Sequence, residues 1–198
     1  MAPHYQRMLD DHNLACIAVT DHNTIAFAQE LHMQLGDRII VGEEITTSAG
    51  EIIGLYLKHP IDKGLSLQEA VRAIKEQKGL LYIPHPFEIR RSGVSVRALA
   101  TILADIDIVE TCNGRAVFQN RTKEAYAWAA EHDLPGAASS DAHGPSGWGK
   151  TYSVLSEMPT RATLVNLLRG AQYKSGLPGV RGILYPKYHR MRKRLVNA

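Results

Sequence analysis

Five short apolar runs in this 198-residue chain each end in a residue able to bind a metal or move a proton. One run leads into Asp21-His22-Asn23 and another into Gly42-Glu43-Glu44. A third leads into Pro84-His85-Pro86. The fourth contains Glu110 and leads to Asn113, and the fifth runs into Ser140-Asp141-Ala142-His143. Imidazoles and carboxylates that converge suit Zn²⁺, Mn²⁺ or Fe²⁺, whereas Mg²⁺ and Ca²⁺ prefer all-oxygen sites. In extended backbone, i and i+2 point to the same side, so Asp141 and His143 can serve one centre. Two or three ions sharing carboxylates would lower the pKa of a bridging water, making hydroxide near neutral pH, and would neutralise charge building on a phosphoryl oxygen.

Taken singly, each residue has a plainer explanation. His22 or His85 can be an ordinary surface or hydrogen-bonded histidine. Asp21 can cap the helix that starts near Thr24. Glu43 and Glu44 are adjacent, so on a strand only one can face the site. Asp141 and Asn113 can be turn residues. Packing needs alone do not account for the same polar ending on five strands. The remaining histidines, His12, His32, His59, His132 and His189, read as surface residues, and His4 lacks a partner two positions away.

The elements that must carry these residues alternate between the two periodicities. Strands are predicted at 15–20, 38–41, 52–57, 79–83, 106–111, 136–139 and 152–155, several of them almost wholly apolar, as strands buried on both faces are. Between them fall amphipathic stretches at 24–35, 66–78, 96–103, 118–132 and 160–169. Ser66-Leu67-Gln68-Glu69 is a capping box, and Gly36 and Gly79 close their helices. Gly50-Glu51 reads as the turn of a local hairpin. This βα alternation predicts βα units around a parallel sheet, and in a closed α/β barrel the C-terminal ends of such strands converge on one face.

Composition bounds the rest. No apolar run approaches the ~20 residues that span a bilayer. The first residues lack the pattern of a secretory signal, so a cytoplasmic location is expected, without a membrane partner. Cys16 and Cys112 lie in apolar segments without CxxC spacing and read as reduced thiols. The net charge of +3 owes much to residues 187–194, a basic tail that reads as a solvated helix end, with contact to nucleic acid possible but not indicated. Residues 1–170 are expected to form the barrel domain and 171–198 an irregular basic extension.

At these residues the sequence resembles the PHP family (polymerase and histidinol phosphatase domain), especially its small stand-alone metal-dependent phosphoesterases. The matching stretches run in order: Val19-Thr20-Asp21-His22-Asn23-Thr24, Val41-Gly42-Glu43-Glu44-Ile45, Ile83-Pro84-His85-Pro86-Phe87, Val109-Glu110-Thr111-Cys112-Asn113-Gly114-Arg115 and Ser140-Asp141-Ala142-His143. The resemblance implies a distorted TIM-like (β/α)7 barrel with two or three divalent ions, Mn, Zn or Fe. It places His22, Glu44, His85, Asp141 and His143 on ligand positions. Arg91 and Arg115, with Asn113, become the residues expected to contact a phosphate, and Asp141 and His143 those expected to take part in catalysis. The substrate would be a small phosphorylated molecule.

Two departures stand out. The family opens with a strand bearing His-x-His, and residues 1–13 here read instead as the end of the helix that follows it, so the barrel is expected to lack its first strand, through a shortened chain or a natural short form. Where many members carry a histidine before the Ile-Ile-Gly-Leu stretch, this chain has Glu51, a further candidate ligand or else a hairpin residue. The expected function is therefore a metal-dependent phosphoesterase using a metal-bridging hydroxide, impaired if those two histidines are lost. The alternatives are a non-catalytic binding or structural module and hydrolysis of a C–N or carboxylic ester bond.

Overall fold

The computed structural model describes residues 2–88, 91–115 and 121–176. Helix α1 (Ala2–Asp11) precedes strand β1 (Ile17–Val19), helix α2 (Ala26–Leu35), strands β2 (Ile39–Thr47) and β3 (Gly50–Leu55) and helix α3 (Leu67–Glu76). Then come β4 (Leu80–Ile83), α4 (Val96–Leu99), β5 (Ile108–Asn113), α5 (Thr122–Glu131), β6 (Gly136–Ser139), β7 (Tyr152–Val154), α6 (Leu164–Arg169) and β8 (Gln172–Lys174). Among the described residues no helix is long and apolar enough to cross a membrane. Cys16 and Cys112 are free thiols.

Local chemistry explains most boundaries. Ser66 accepts from the Glu69 backbone N–H while the Glu69 carboxylate accepts from the Ser66 N–H, so both helix-start donors of α3 are satisfied as its sequence predicts. That helix buries Leu67, Ala70, Val71 and Ile74, an i, i+3, i+4, i+7 stripe. Strand β2 runs six residues past its predicted end. Its Glu43 and Glu44 interrupt the apolar run, which is why the pattern stopped there, but both find partners inside the fold. The β2–β3 hairpin pairs Thr47 with Gly50. Gly50 sits at φ +128, and a Cβ there would lie 2.6 Å from the Ser92 carbonyl oxygen, so only glycine fits.

The main sheet has six strands in the order β1-β2-β3-β4-β5-β6. Strand β3 is antiparallel to both neighbours, and the other pairings are parallel. Two reversals cancel, so β1, β2, β4, β5 and β6 all point one way and deliver their C-terminal ends to one edge. Strand β3 runs against them and brings its start, Gly50-Glu51, to that same edge. Alternate residues divide between two cores. Val41, Ile45, Leu81, Ile83 and Val109 pack with residues of α2, α3 and α5. Ile40, Leu80, Tyr82 and Ile108 pack with Leu164 and Leu168 of α6. Both faces are therefore covered, as the apolar strands require.

The protein is thus a mixed α/β fold whose sheet curls as a half-barrel. The expected barrel, short of its first strand, carried a last strand at 152–155, and here the structure differs. Among the described residues β7 does not continue the sheet but pairs with β8 in a separate antiparallel ribbon. Strand β8, unanticipated because Gln172–Lys174 is exposed and shows no apolar alternation, lies past the expected boundary at residue 170. The basic stretch 187–194, His189 and part of the expected helix at 118–132 fall outside the described residues.

Candidate functional site

The turn after β1 is laced onto β2 by backbone and side chain together. The Asn23 N–H donates to the Glu44 carbonyl at 2.9 Å, and the Glu44 N–H donates to the Asp21 carbonyl at 3.1 Å. Asn23 Oδ1 accepts from the Thr46 N–H at 3.0 Å and its Nδ2 donates to Thr46 Oγ1 at 3.2 Å. Asn23 adopts φ +55, a left-handed conformation that asparagine tolerates. This lacing sets His22 beside Glu44. Asp21 does not cap α2, whose first free N–H, that of Ala26, donates to Thr24 Oγ1.

His22 faces two carboxylates. Its Nε2 lies 3.5 Å from Glu44 Oε2 and its Nδ1 3.5 Å from Glu51 Oε1. One ligand atom from each of His22, Glu44 and Glu51 falls within 4.8 Å of the other two, a group able to hold a metal ion. His85 approaches Glu44 from the other side, Nε2 to Oε1 at 3.2 Å. The His85 ring is buried, and among the described residues its Nδ1 has no hydrogen-bond partner. A buried imidazole nitrogen left without a partner is costly unless something binds it. Together with the mixed nitrogen and oxygen donors, it fits a divalent transition ion such as Zn²⁺ or Mn²⁺.

Of the adjacent glutamates only Glu44 enters the site. Glu43 points into the core, where its Oε2 accepts from the Ile61 N–H at 2.9 Å. Burial alone would raise the Glu44 carboxyl. The hydrogen bond from His85, with the charges of His22, His85 and His143, outweighs it and holds Glu44 below the usual carboxylate range. Glu51 is pushed the opposite way by burial and by the neighbouring charge of Glu44. A cation between the two carboxylates would relieve that repulsion.

A second group lies beside the first, close enough that the Glu44 carboxylate and the His143 ring influence each other's charge. Arg91 Nη2 is ion-paired with Asp141 Oδ2, and Arg115 Nη1 lies 3.6 Å from Asp141 Oδ1. Asn113 Nδ2 is 3.3 Å from Asp141 Oδ2, and Asn113 Oδ1 accepts from Arg91 Nη1 at 3.0 Å. His143 Nδ1 lies 2.9 Å from Arg115 Nη1 and 3.4 Å from Asp141 Oδ1. Burial, then the charge of Arg115, brings the His143 pKa down to about 4, so the ring is neutral at neutral pH.

The sequence-predicted residues therefore gather in two neighbouring sets, His22, Glu44, Glu51 and His85 in one, and Arg91, Asn113, Arg115, Asp141 and His143 in the other. Two further buried glutamates join these sets, Glu88 and Glu110, the second noted at a strand end but given no role there. Glu88 Oε2 accepts from Arg91 Nη1 at 3.3 Å. Nothing in its sequence surroundings marked it. Glu110 had a signal in its place near the end of an apolar strand. Of the histidines read as surface residues, His12, His32 and His59 are exposed, and His132 is half-buried against Trp128.

The PHP-associated family model matches residues 120–173. The uncharacterized protein MJ1587 of Methanocaldococcus jannaschii is 42% identical over 95 residues, which cover 46% of this chain and 53% of that protein. The uncharacterized protein MJ0417 of the same organism is 35% identical over 145 residues, covering 71% of this chain and 58% of that protein. The chain thus spans little more than half the length of these curated relatives. Among solved structures, a two-domain Bacteroides vulgatus protein containing a predicted PHP-like metal-dependent phosphoesterase superposes with a TM-score of 0.65 at 18% identity, over 82% of this chain and 56% of that one. At that identity the likeness speaks for the fold.

Proposed function

We propose, for a chain that belongs to the PHP-domain family, that it is a metal-dependent phosphoesterase working at the shared edge of β1 to β6. The observation that carries this reading is a His–Glu–Glu group suited to a divalent ion, with two arginines converging on Asp141 near enough that the charge of Arg91 reaches Glu51. His22, Glu44 and Glu51 would hold one ion, with His85 against Glu44, and Asp141 and His143 would serve a neighbouring position. We read the curled six-stranded sheet as an arc of the family's distorted seven-stranded barrel.

A bound divalent ion acidifies water and neutralises charge that builds on a phosphoryl oxygen. The protein's own groups do the rest. The guanidinium groups of Arg91 and Arg115 present planar, multiply donating faces suited to a phosphate, and Asn113 holds the Arg91 guanidinium and the Arg115 backbone N–H. When a phosphate takes up the arginines, the Asp141 carboxylate is released from them. His143 is uncharged at neutral pH, as an imidazole that accepts a proton or a metal must be.

The test is hydrolysis of an aryl phosphate by chelator-stripped protein, before and after adding Mn²⁺ or Zn²⁺, with an aryl amide and an aryl carboxylic ester alongside. Phosphate release that appears only with metal supports the proposal. Stoichiometric metal without turnover of any phosphate would sink it. The internal pairing of Asp141 with Arg91 favours one other reading, a PHP-type module that binds without catalysing, and that same result would support it.

A further inference from the structure

We infer that Glu110 is a positioning residue that locks the metal-binding set and the arginine set into one geometry. The inference rests on the proposed function for the ligands involved, not for the contacts themselves.

The Glu110 carboxylate is 3% exposed and, among the described residues, accepts three hydrogen bonds. Two reach Oε2, from the His85 backbone N–H at 2.6 Å and from Asn113 Nδ2 at 2.8 Å. The third reaches Oε1, from the Tyr82 hydroxyl at 3.2 Å. Two of these donors therefore belong to the two halves of the site. On the first side, the bond to His85 restrains a backbone at φ +28, a conformation that a residue with a Cβ keeps only when its surroundings impose it. Its ring then meets Glu44. On the second side, Asn113 is held so that its Oδ1 accepts from both Arg91 Nη1 at 3.0 Å and the Arg115 N–H at 2.8 Å. One carboxylate thus sets both the imidazole and the arginine cradle.

A purely structural role explains this poorly. Position 110 lies inside a strand flanked by buried Val109 and Thr111, where an apolar side chain would pack without the cost of burying a charge. The strand is also bent to serve the contact. Residues 110 and 113 are an odd number apart and on a regular strand would face opposite ways. A register shift between Glu110 and Cys112 leaves Thr111 as an extra residue, which brings Glu110 and Asn113 to the same side.

The test compares Glu110→Gln with wild type in three measurements. Mn²⁺ affinity and inorganic phosphate affinity are read by calorimetry, and amide hydrogen exchange is read at residues 83–88, 91–94 and 113–115. The expected result is a loss of roughly tenfold or more in both affinities, the size typical of groups that orient metal ligands. Exchange should become faster in all three segments while α3 stays as protected as before. Glu110→Asp keeps the charge but is one methylene short, and it serves if the Gln variant proves too unstable. Loss confined to one affinity, or unchanged exchange in one half, overturns the inference. Equal loosening of α3 overturns it as well, since that marks general destabilisation. If wild type binds neither probe, the phosphoesterase reading fails, and the exchange comparison still decides the role of Glu110.

Discussion

His85 Nε2 and Glu44 Oε1 lie 3.2 Å apart although 41 positions separate them in the chain. The contact joins the end of β4 to the middle of β2, two strands that are not neighbours in the sheet but run in the same direction on either side of β3. Both side chains are largely buried, so neither can lose its partner without consequence.

Replacing His85 with alanine should therefore weaken Mn²⁺ binding by roughly ten- to a hundredfold, whether the ring ligates directly or orients Glu44. Titration calorimetry on the folded variant measures it. An unchanged affinity would remove His85 from the centre.

Arg91→Lys keeps the charge but loses the planar fork that now spans Asp141, Asn113 and Glu88. Hydrogen bonds to charged groups contribute about 1.5–3 kcal/mol, so phosphate affinity should fall roughly ten- to a hundredfold, with Mn²⁺ affinity nearly unchanged. A lysine variant that holds phosphate as well as wild type would show that the arginine serves only as an internal counter-ion.

The pH dependence of stability should carry the mark of His143. Its folded pKa of about 4 lies below the ordinary 6.5. Between those values the unfolded chain takes up a proton that the folded one refuses, so this histidine makes the metal-free protein lose stability as pH falls through that window. Its contribution is absent above it. One proton limits the slope to about 1.4 kcal/mol per pH unit, and the ring's partial exposure makes it shallower. Urea unfolding at pH 7, 6 and 5 should show a flatter profile for His143→Asn than for wild type. Parallel profiles would mean that the ring titrates normally.

Gly136→Ala should cost about 1–3 kcal/mol through overpacking. A Cβ at this position would lie 2.4 Å from both Thr111 Oγ1 and the Tyr173 hydroxyl, the contact that ties β8 to the bulge in β5. Removing that hydroxyl in the double variant Gly136→Ala/Tyr173→Phe should recover part of the loss in denaturant unfolding. A fully stable single variant would show that the bulge shifts without strain.

Much of the site was legible because chemistry and periodicity coincide along the chain. An apolar run that ends in Asp-His, His-Pro or Asp-x-His announces both a buried strand and a polar end. Parallel strands then bring such ends together, so these residues stood out as candidates, while the choice of Glu44 over Glu43 and the ligand positions themselves came from the family resemblance. The capping box of α3 and the hairpin at Gly50 were legible for a similar reason, since each depends on residues a few positions apart.

Relationships that depend on direction and register lay beyond that reach. Glu51 joins His22 and Glu44 because β3 runs against its neighbours, and nothing local distinguishes a ligand from a hairpin residue there. Glu110 and Asn113 share a side only because Thr111 bulges, which breaks the period-two rule used to read a strand. Asp141 meets Arg91 across 50 positions of sequence, through loops whose path no pattern encodes. Residue types and their spacing along the chain thus set which groups could do chemistry at this edge. Strand direction, one inserted residue and the course of two loops decided which of them touch, because those contacts arise from long-range pairing that no stretch of sequence contains.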